Sequence, residues 1–206
     1  MSEQFKSIET TELVKIANAI RTKTGTTDKI SLEDMPAKIA AIESSGDTSV
    51  EDGLVTGTIT EFSNNRVASV GSYAFAYCSR LTSVSFPAAT TIAGCAFLLC
   101  SRLTSVSFPA ATTIGGYAFQ RCSSLTSVNF PKVTMISNSA FQSCSSLTTL
   151  YLTGSSLCSL TASTAFTGTG IRSNKGYIYV PSSLVASYKA ATNWAFFSNR
   201  IYSYLG

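Results

Sequence analysis

Six cysteines, fifteen Lys and Arg, eleven Asp and Glu and no histidine are the side chains with which this 206-residue chain could do chemistry. General acid and base work falls mostly to His, Asp and Glu, and every carboxylate lies at or before Glu61. Residues 62–206 therefore have no ordinary proton-transfer group. Without histidine a Ser-His-Asp triad is excluded, and a zinc site would have to be built from cysteines alone. A Cys or Lys nucleophile would have no partner to activate it. The chain reads as non-enzymatic, with no catalytic residue, no cofactor and no metal site.

The cysteines are informative in another way, because four of them form a column. Cys78, Cys100, Cys122 and Cys144 stand 22 residues apart, and three residues before each comes Phe75, Phe97, Phe119 or Phe141 in an Ala-Phe pair. Leu81, Leu103, Leu125 and Leu147 keep the same period, as do Val84, Val106, Val128 and Leu150. The stretch CSRLTSVSFPAATTI, Cys78 to Ile92, recurs letter for letter from Cys100 to Ile114. A looser fifth copy follows, with Ala165-Phe166, Ile171 and Tyr177-Ile-Tyr-Val-Pro181. Such self-similarity is the mark of a repeat architecture.

Within one period Leu81-x-x-Val84-x-Phe86 has the form L-x-x-L-x-L, so apolar residues turn inward while Thr82, Ser83 and Ser85 face solvent. Pro87 cannot donate to a ladder and suits the strand's end. The return through Thr-Ile-x-Gly and Ala-Phe-x-x-Cys has room for two short helical turns or a run of tight turns. One coil has no second layer to bury its columns against, so stacking supplies the core. The cysteines, small and apolar, are expected to be buried thiols in that core. Cys158, in the irregular copy, is expected to be the accessible one, with Cys95 second.

The pattern I-x-x-x-A-F-x-x-C-x-x-L-x-x-V-x-F-P resembles the BspA-like leucine-rich repeat of bacterial surface and secreted proteins, over roughly residues 65–181. The resemblance implies an α+β repeat fold, a leucine-rich-repeat solenoid of about five coils. It also implies a binding or adhesive role without catalytic residues.

Charge divides the chain. Residues 1–61 carry eleven acids against six bases, a net of −5, while residues 62–206 carry nine bases and no acid, a net of +9. Leu13, Ile16, Ala17 and Ile20 fall at i, i+3, i+4 and i+7, and Met35, Ile39 and Ile42 share a second face. This predicts a small helical attachment segment over residues 1–42. Residues 43–57, rich in Ser, Gly, Asp and Thr, read as a linker, and residues 58–206 as the repeat body with a C-terminal helical and aromatic cap from about 177. Leu13 to Gly25, followed by Asp28 to Pro36, resembles the N-terminal region of tail and other virion proteins from phages of Gram-positive gut bacteria. Met1 to Leu13 contains no apolar run of the kind a signal peptide needs, and no stretch reaches 18 consecutive apolar residues.

Two functions fit. The first is a phage virion protein, a tail fibre or other receptor-binding protein, held to a large assembly by residues 1–42 and recognising a cell-surface glycan or anionic polymer through the repeats. The alternative is a BspA-like adhesin at a bacterial surface. Self-association stays open, and nucleic acid ranks last because no known motif or aromatic interleaving accompanies the basic charge. On the solvent side of the strands only the column Ser85, Ser107, Asn129, Tyr151 changes character along the stack, which makes Ser107, Asn129 and Tyr151 candidate contacts. Arg80 and Arg102 occupy one column in adjacent copies and are candidates for bridging phosphates. Trp194 reads as cap packing in preference to a sugar-stacking platform.

Overall fold

The computed structural model describes residues 60–204. The helical segment expected at residues 1–42 and the linker at 43–57 lie outside the described residues. In chain order the strands are β1 (Glu61–Ser63), β2 (Ser69–Val70), β3 (Ser83–Ser85), β4 (Thr91–Ile92), β5 (Ser105–Ser107) and β6 (Thr113–Ile114). They continue with β7 (Ser127–Asn129), β8 (Met135–Ile136), β9 (Thr149–Tyr151), β10 (Ser159–Leu160), β11 (Tyr177–Pro181) and β12 (Ile201–Tyr204). Among the described residues one α-helix, α1 (Val185–Ala190), stands between β11 and β12.

Because the repeat is gapless, like pairs with like. Among the described residues every strand pairing is parallel, and Ser83 meets Ser105 and Val84 meets Val106 across β3 and β5. The strand expected from L-x-x-V-x-F is present but only three residues long. A second sheet, absent from the sequence reading, runs in the order β10-β8-β6-β4-β2 along the return side. It is made by a two-residue strand of each copy, Thr-Ile in β4 and β6, Ser-Val in β2, Met-Ile in β8 and Ser-Leu in β10, the second residue of each being buried. Thr90, Thr112 and Thr134 strengthen it, each donating its hydroxyl to the carbonyl 22 residues earlier at 3.1–3.2 Å.

The Ala-Phe-x-x-Cys segment takes the second of its two expected forms, tight turns. Left-handed backbone at Tyr73, Cys95, Tyr117 and Ser139, and again at Tyr77, Leu99, Arg121 and Ser143, bends the chain. Non-glycine side chains rarely adopt this conformation, and the fifth copy places Gly168 there instead. The turns still ladder coil to coil, with Phe97 N–H on the Ala118 carbonyl at 2.7 Å and Phe119 N–H on Ala140 at 2.8 Å.

The core follows from that register. Phe75, Phe97, Phe119, Phe141 and Phe166 stack near-parallel, with successive centroids 5.2, 5.2, 5.3 and 5.6 Å apart. All are buried, each worth about 1.5–3 kcal/mol relative to exposure. Beside them the Cys100, Cys122 and Cys144 thiols are buried, each donating to the carbonyl of Phe75, Phe97 or Phe119 at 3.0, 3.2 and 2.9 Å. A thiol column thus ties neighbouring coils together in place of a free polar group. Burial, with Cys100 and Cys144 adding to it, holds the Cys122 thiol well above the usual range.

Two expectations about cysteine need correction. Cys78 is only half-buried, since it belongs to the terminal copy. Cys158 is not the accessible thiol but is fully buried. Its backbone N–H donates to Tyr188 Oη at 2.9 Å and its carbonyl accepts from Trp194 Nε1 at 2.6 Å, and burial pushes its thiol up to about 12.

Both described ends are covered by aromatics. Phe62 of β1 lies 5.0 Å from Phe75 and 5.3 Å from Phe86. At the other end buried Tyr188, Trp194 and Phe197 close over Phe166, which agrees with the cap-packing reading of Trp194. The cap is less helical than expected. Beyond α1 and flanking 3-10 turns it is formed by β11 on β9 and β12 on β11.

Candidate ligand-binding groove

On the strand side one feature interrupts the repetition. At each regular junction a Thr N–H and the next residue's N–H donate to the carbonyl of the Thr one coil earlier. Thr82 and Ser83 reach Thr60 (2.6 and 3.2 Å), Thr104 and Ser105 reach Thr82 (2.9 and 3.1 Å), and Thr148 and Thr149 reach Thr126 (3.0 and 3.2 Å). Among the described residues neither Thr126 nor Ser127 makes this bond to Thr104. The strand side accordingly splits into two sheets, β1-β3-β5 and β12-β11-β9-β7.

The split extends inward by one layer. Phe86 and Phe108 stack at 5.5 Å and 10°, whereas Phe130 pairs with Phe119 and Phe141 and not with Phe108. Val106 is half-buried where Val84 and Val128 are buried. The inner Phe column and the return-side sheet cross the same junction unbroken. The stack is therefore opened along one flank. The opening falls where the literal repeat ends, with Arg80 and Arg102 giving way to Ser124 and Ser85 and Ser107 to Asn129. Locally Ser124 N–H and Ser123 Oγ now both donate to the Ser101 carbonyl at 3.2 Å.

A groove of about 430 Å³ lies over this opening. Its floor comes from Thr104, Ser105 and Val106 on one side and Ser127, Val128 and Asn129 on the other, and Tyr151 and Tyr204 stand at its end. None of these side chains is charged. Asn129 Oδ1 accepts from Thr153 Oγ1 at 3.4 Å, a contact that orients the amide.

The tyrosines continue beyond the groove. Tyr151 stacks on Tyr179 at 5.1 Å and 17°, in register across β9 and β11, and Tyr204 meets Tyr151 edge-on at 5.9 Å. Tyr177 adjoins Tyr179 and Tyr202, and Tyr177, Tyr202 and Tyr204 are 43, 46 and 43 % exposed. Monomeric proteins rarely leave large apolar groups clustered in water without a use for them.

Of the five candidate contacts, Asn129 and Tyr151 come together in the groove. Ser107, Arg80 and Arg102 are exposed but do not line it. Thr104 and Ser127 belong to the solvent-side columns of the candidate surface without being singled out in the sequence, and Tyr204, read there as part of the cap, was missed. The alternation in Tyr177-Ile-Tyr-Val and Ile201-Tyr-Ser-Tyr carried the signal, since period-two strands put tyrosines opposite the buried Ile178, Val180 and Ile201.

Comparison with known proteins agrees with this architecture. Residues 58–191 match a family model described as BspA type leucine rich repeat region, in six copies. A leucine rich cell surface protein from Faecalibacterium prausnitzii A2-165 superposes with a TM-score of 0.55 at 24% identity, over 68% of this chain and 35% of its own. A leucine-rich repeat protein from Bacteroides ovatus gives a TM-score of 0.56 at 25% identity, over 72% and 37%. The chain thus spans little more than a third of the length of these solved structures. A search of curated proteins gave no significant match.

Proposed function

Since this chain belongs to the BspA-type leucine-rich repeat family, we propose that it is a non-enzymatic binding module acting in adhesion at a bacterial cell surface. The observation that carries this reading is the uncharged groove over the strand-side opening, with an exposed tyrosine cluster at its end. Cross-strand stacking such as that of Tyr151 on Tyr179 stabilises the sheet, but a cluster of five tyrosines with three of them over 40 % exposed is more apolar surface than that role requires. The F. prausnitzii structure, a cell surface protein by name, supports the location. The buried, high-pKa thiols of Cys122 and Cys158 support the absence of catalysis, because the nucleophile is the thiolate.

The virion reading rests on residues 1–42, outside the matched region, and we place it second. The test of the first reading is binding of the labelled full chain to intact bacterial and epithelial cells. Saturable binding that falls on Tyr151→Ala is expected. Binding to neither cell type would reject the adhesive function, and recovery of the chain from purified phage particles would restore the virion one.

A further inference from the structure

Resting on that binding function, we propose that the groove takes a neutral saccharide, with the tyrosines as stacking surface and the unpaired floor as its hydrogen-bonding partner. Three observations converge on this chemistry.

The first is the floor itself. At the opened junction the exposed residues Thr126 and Ser127 do not donate, and the exposed Thr104 does not accept, the ladder bonds made at the neighbouring junctions, so these peptide groups are open to a ligand in place of water. Of these, Ser127 with its N–H and Thr104 with its carbonyl line the groove, and the hydroxyls of Ser105 and Ser127 can act in either sense. A ligand that satisfies them must itself carry adjacent donors and acceptors. Vicinal hydroxyls do so, whereas phosphate at neutral pH is chiefly an acceptor and a proline-rich peptide has few N–H donors.

The second is charge. None of the lining side chains is ionisable in the physiological range, although the residues from 62 onward carry nine cations. A site for an anionic polymer would draw on them. Arg80 and Arg102 instead remain outside the groove.

The third is the tyrosine arrangement. Tyr151 and Tyr204 meet edge-on, so their faces are not mutually stacked, and Tyr204 is 43 % exposed. An aromatic face beside polar groups offers an amphipathic surface, apolar in body and polar at the rim, and a sugar ring has the matching C–H face and hydroxyl edge. The volume, about 430 Å³, falls within the range of small-ligand sites of about 300–1,000 Å³.

The experiment applies the full chain to surfaces coated with mannan, dextran or laminarin, with lipoteichoic acid, or with a proline-rich peptide, at low and high salt. Binding to at least one neutral polysaccharide, unchanged by salt, is the expected result, together with a shift in tyrosine fluorescence on titration with the matching oligosaccharide. Tyr204→Ala and Asn129→Ala should each weaken it about tenfold or more. Both positions are exposed, and an unchanged melting temperature shows that the loss is not one of folding. Salt-sensitive binding to lipoteichoic acid alone, binding to the peptide alone, or neutral-polysaccharide binding indifferent to both substitutions would overturn the proposal. If cells are bound but every polysaccharide is refused, the saccharide assignment fails while the adhesive function stands. If cells are refused as well, the adhesive function fails with it.

Discussion

The two flanks of the repeat stack start from the same device and end differently. On the return side Thr90, Thr112 and Thr134 bond through side chain and backbone to the coil before, without interruption. On the strand side Thr82, Thr104 and Thr148 do the same, but Thr126 does not. The Phe, Cys, Leu and Val columns facing the core are alike on both sides of that junction, the core changing only from Ala111 to Val133, while the columns facing solvent change there, at Ser124, Asn129 and then Tyr151. Core columns are constrained by stacking on their neighbours, so a lapse in one coil is felt in two more. Solvent columns escape that constraint, and the strand side is where a repeat protein can depart from repetition to build a site.

The contrast can be tested first where it predicts the largest effect. Phe119 stacks on both Phe97 and Phe141 in the unbroken column, so Phe119→Ala should cost about 3–5 kcal/mol in chemical denaturation. Phe108 has a parallel stacking partner on one side only. The missing aromatic contact is worth about 0.5–1.5 kcal/mol, and Phe108→Ala should cost less by roughly that amount. Equal losses would mean that the opening does not reach the aromatic layer.

Native-state hydrogen exchange reads the same contrast in the backbone. The Thr126 and Ser127 amides should exchange about a hundredfold faster than those of Thr104, Ser105, Thr112 and Thr134, which are held by ladder bonds to a neighbouring coil. Comparable protection would close the groove floor and remove the basis for a ligand there.

Alkaline pH should attack the closed interior in preference to the groove. Burial raises Cys158 from 9.0 and Tyr188 from 10.0, each to about 12. Both are neutral when protonated, so the unfolded chain releases these protons at a lower pH than the folded one. Their contribution is fully present below about pH 9 and is lost as pH rises towards 12. Melting temperature should therefore hold to about pH 9 and then fall. In the native state a thiol reagent should label Cys100, Cys122, Cys144 and Cys158 only slowly, and rapid labelling of Cys158 would show that the cap opens.

These contrasts also mark what could be read in the chain. The fold was legible because Phe97, Cys100, Leu103 and Val106 recur at one period, and a period that serves several columns at once admits one stacking register. The return sheet was not, since two-residue strands such as Thr91–Ile92 lie below any periodicity signal. Two of the groove's eight lining residues were visible in the changing column, Asn129 and Tyr151. The rest depends on an absent ladder bond between Thr126 and Thr104, and their copies are identical in sequence to those that make it. Tyr204 reaches the groove through the pairing of β12 on β11, a long-range contact that local pattern does not encode.

The smallest expected effect concerns the arginines. Arg80 and Arg102 lie in the literal copies, exposed and outside the groove, so any part we propose for them in binding is to attract an anionic surface and not to read the groove's ligand. Long-range attraction changes the rate of encounter more than the strength of the final contact. Beyond a screening length of about 8 Å at physiological ionic strength it is largely lost. Replacing both by Ser, the residue at the matching positions 124 and 146, should slow association with intact cells about two- to threefold at low salt. It should leave dissociation unchanged and have no effect at high salt. A changed dissociation rate would put the arginines in direct contact with the ligand. The binding surface would then extend back over the regular copies, and the distinction between a repeating scaffold and a non-repeating site would be lost.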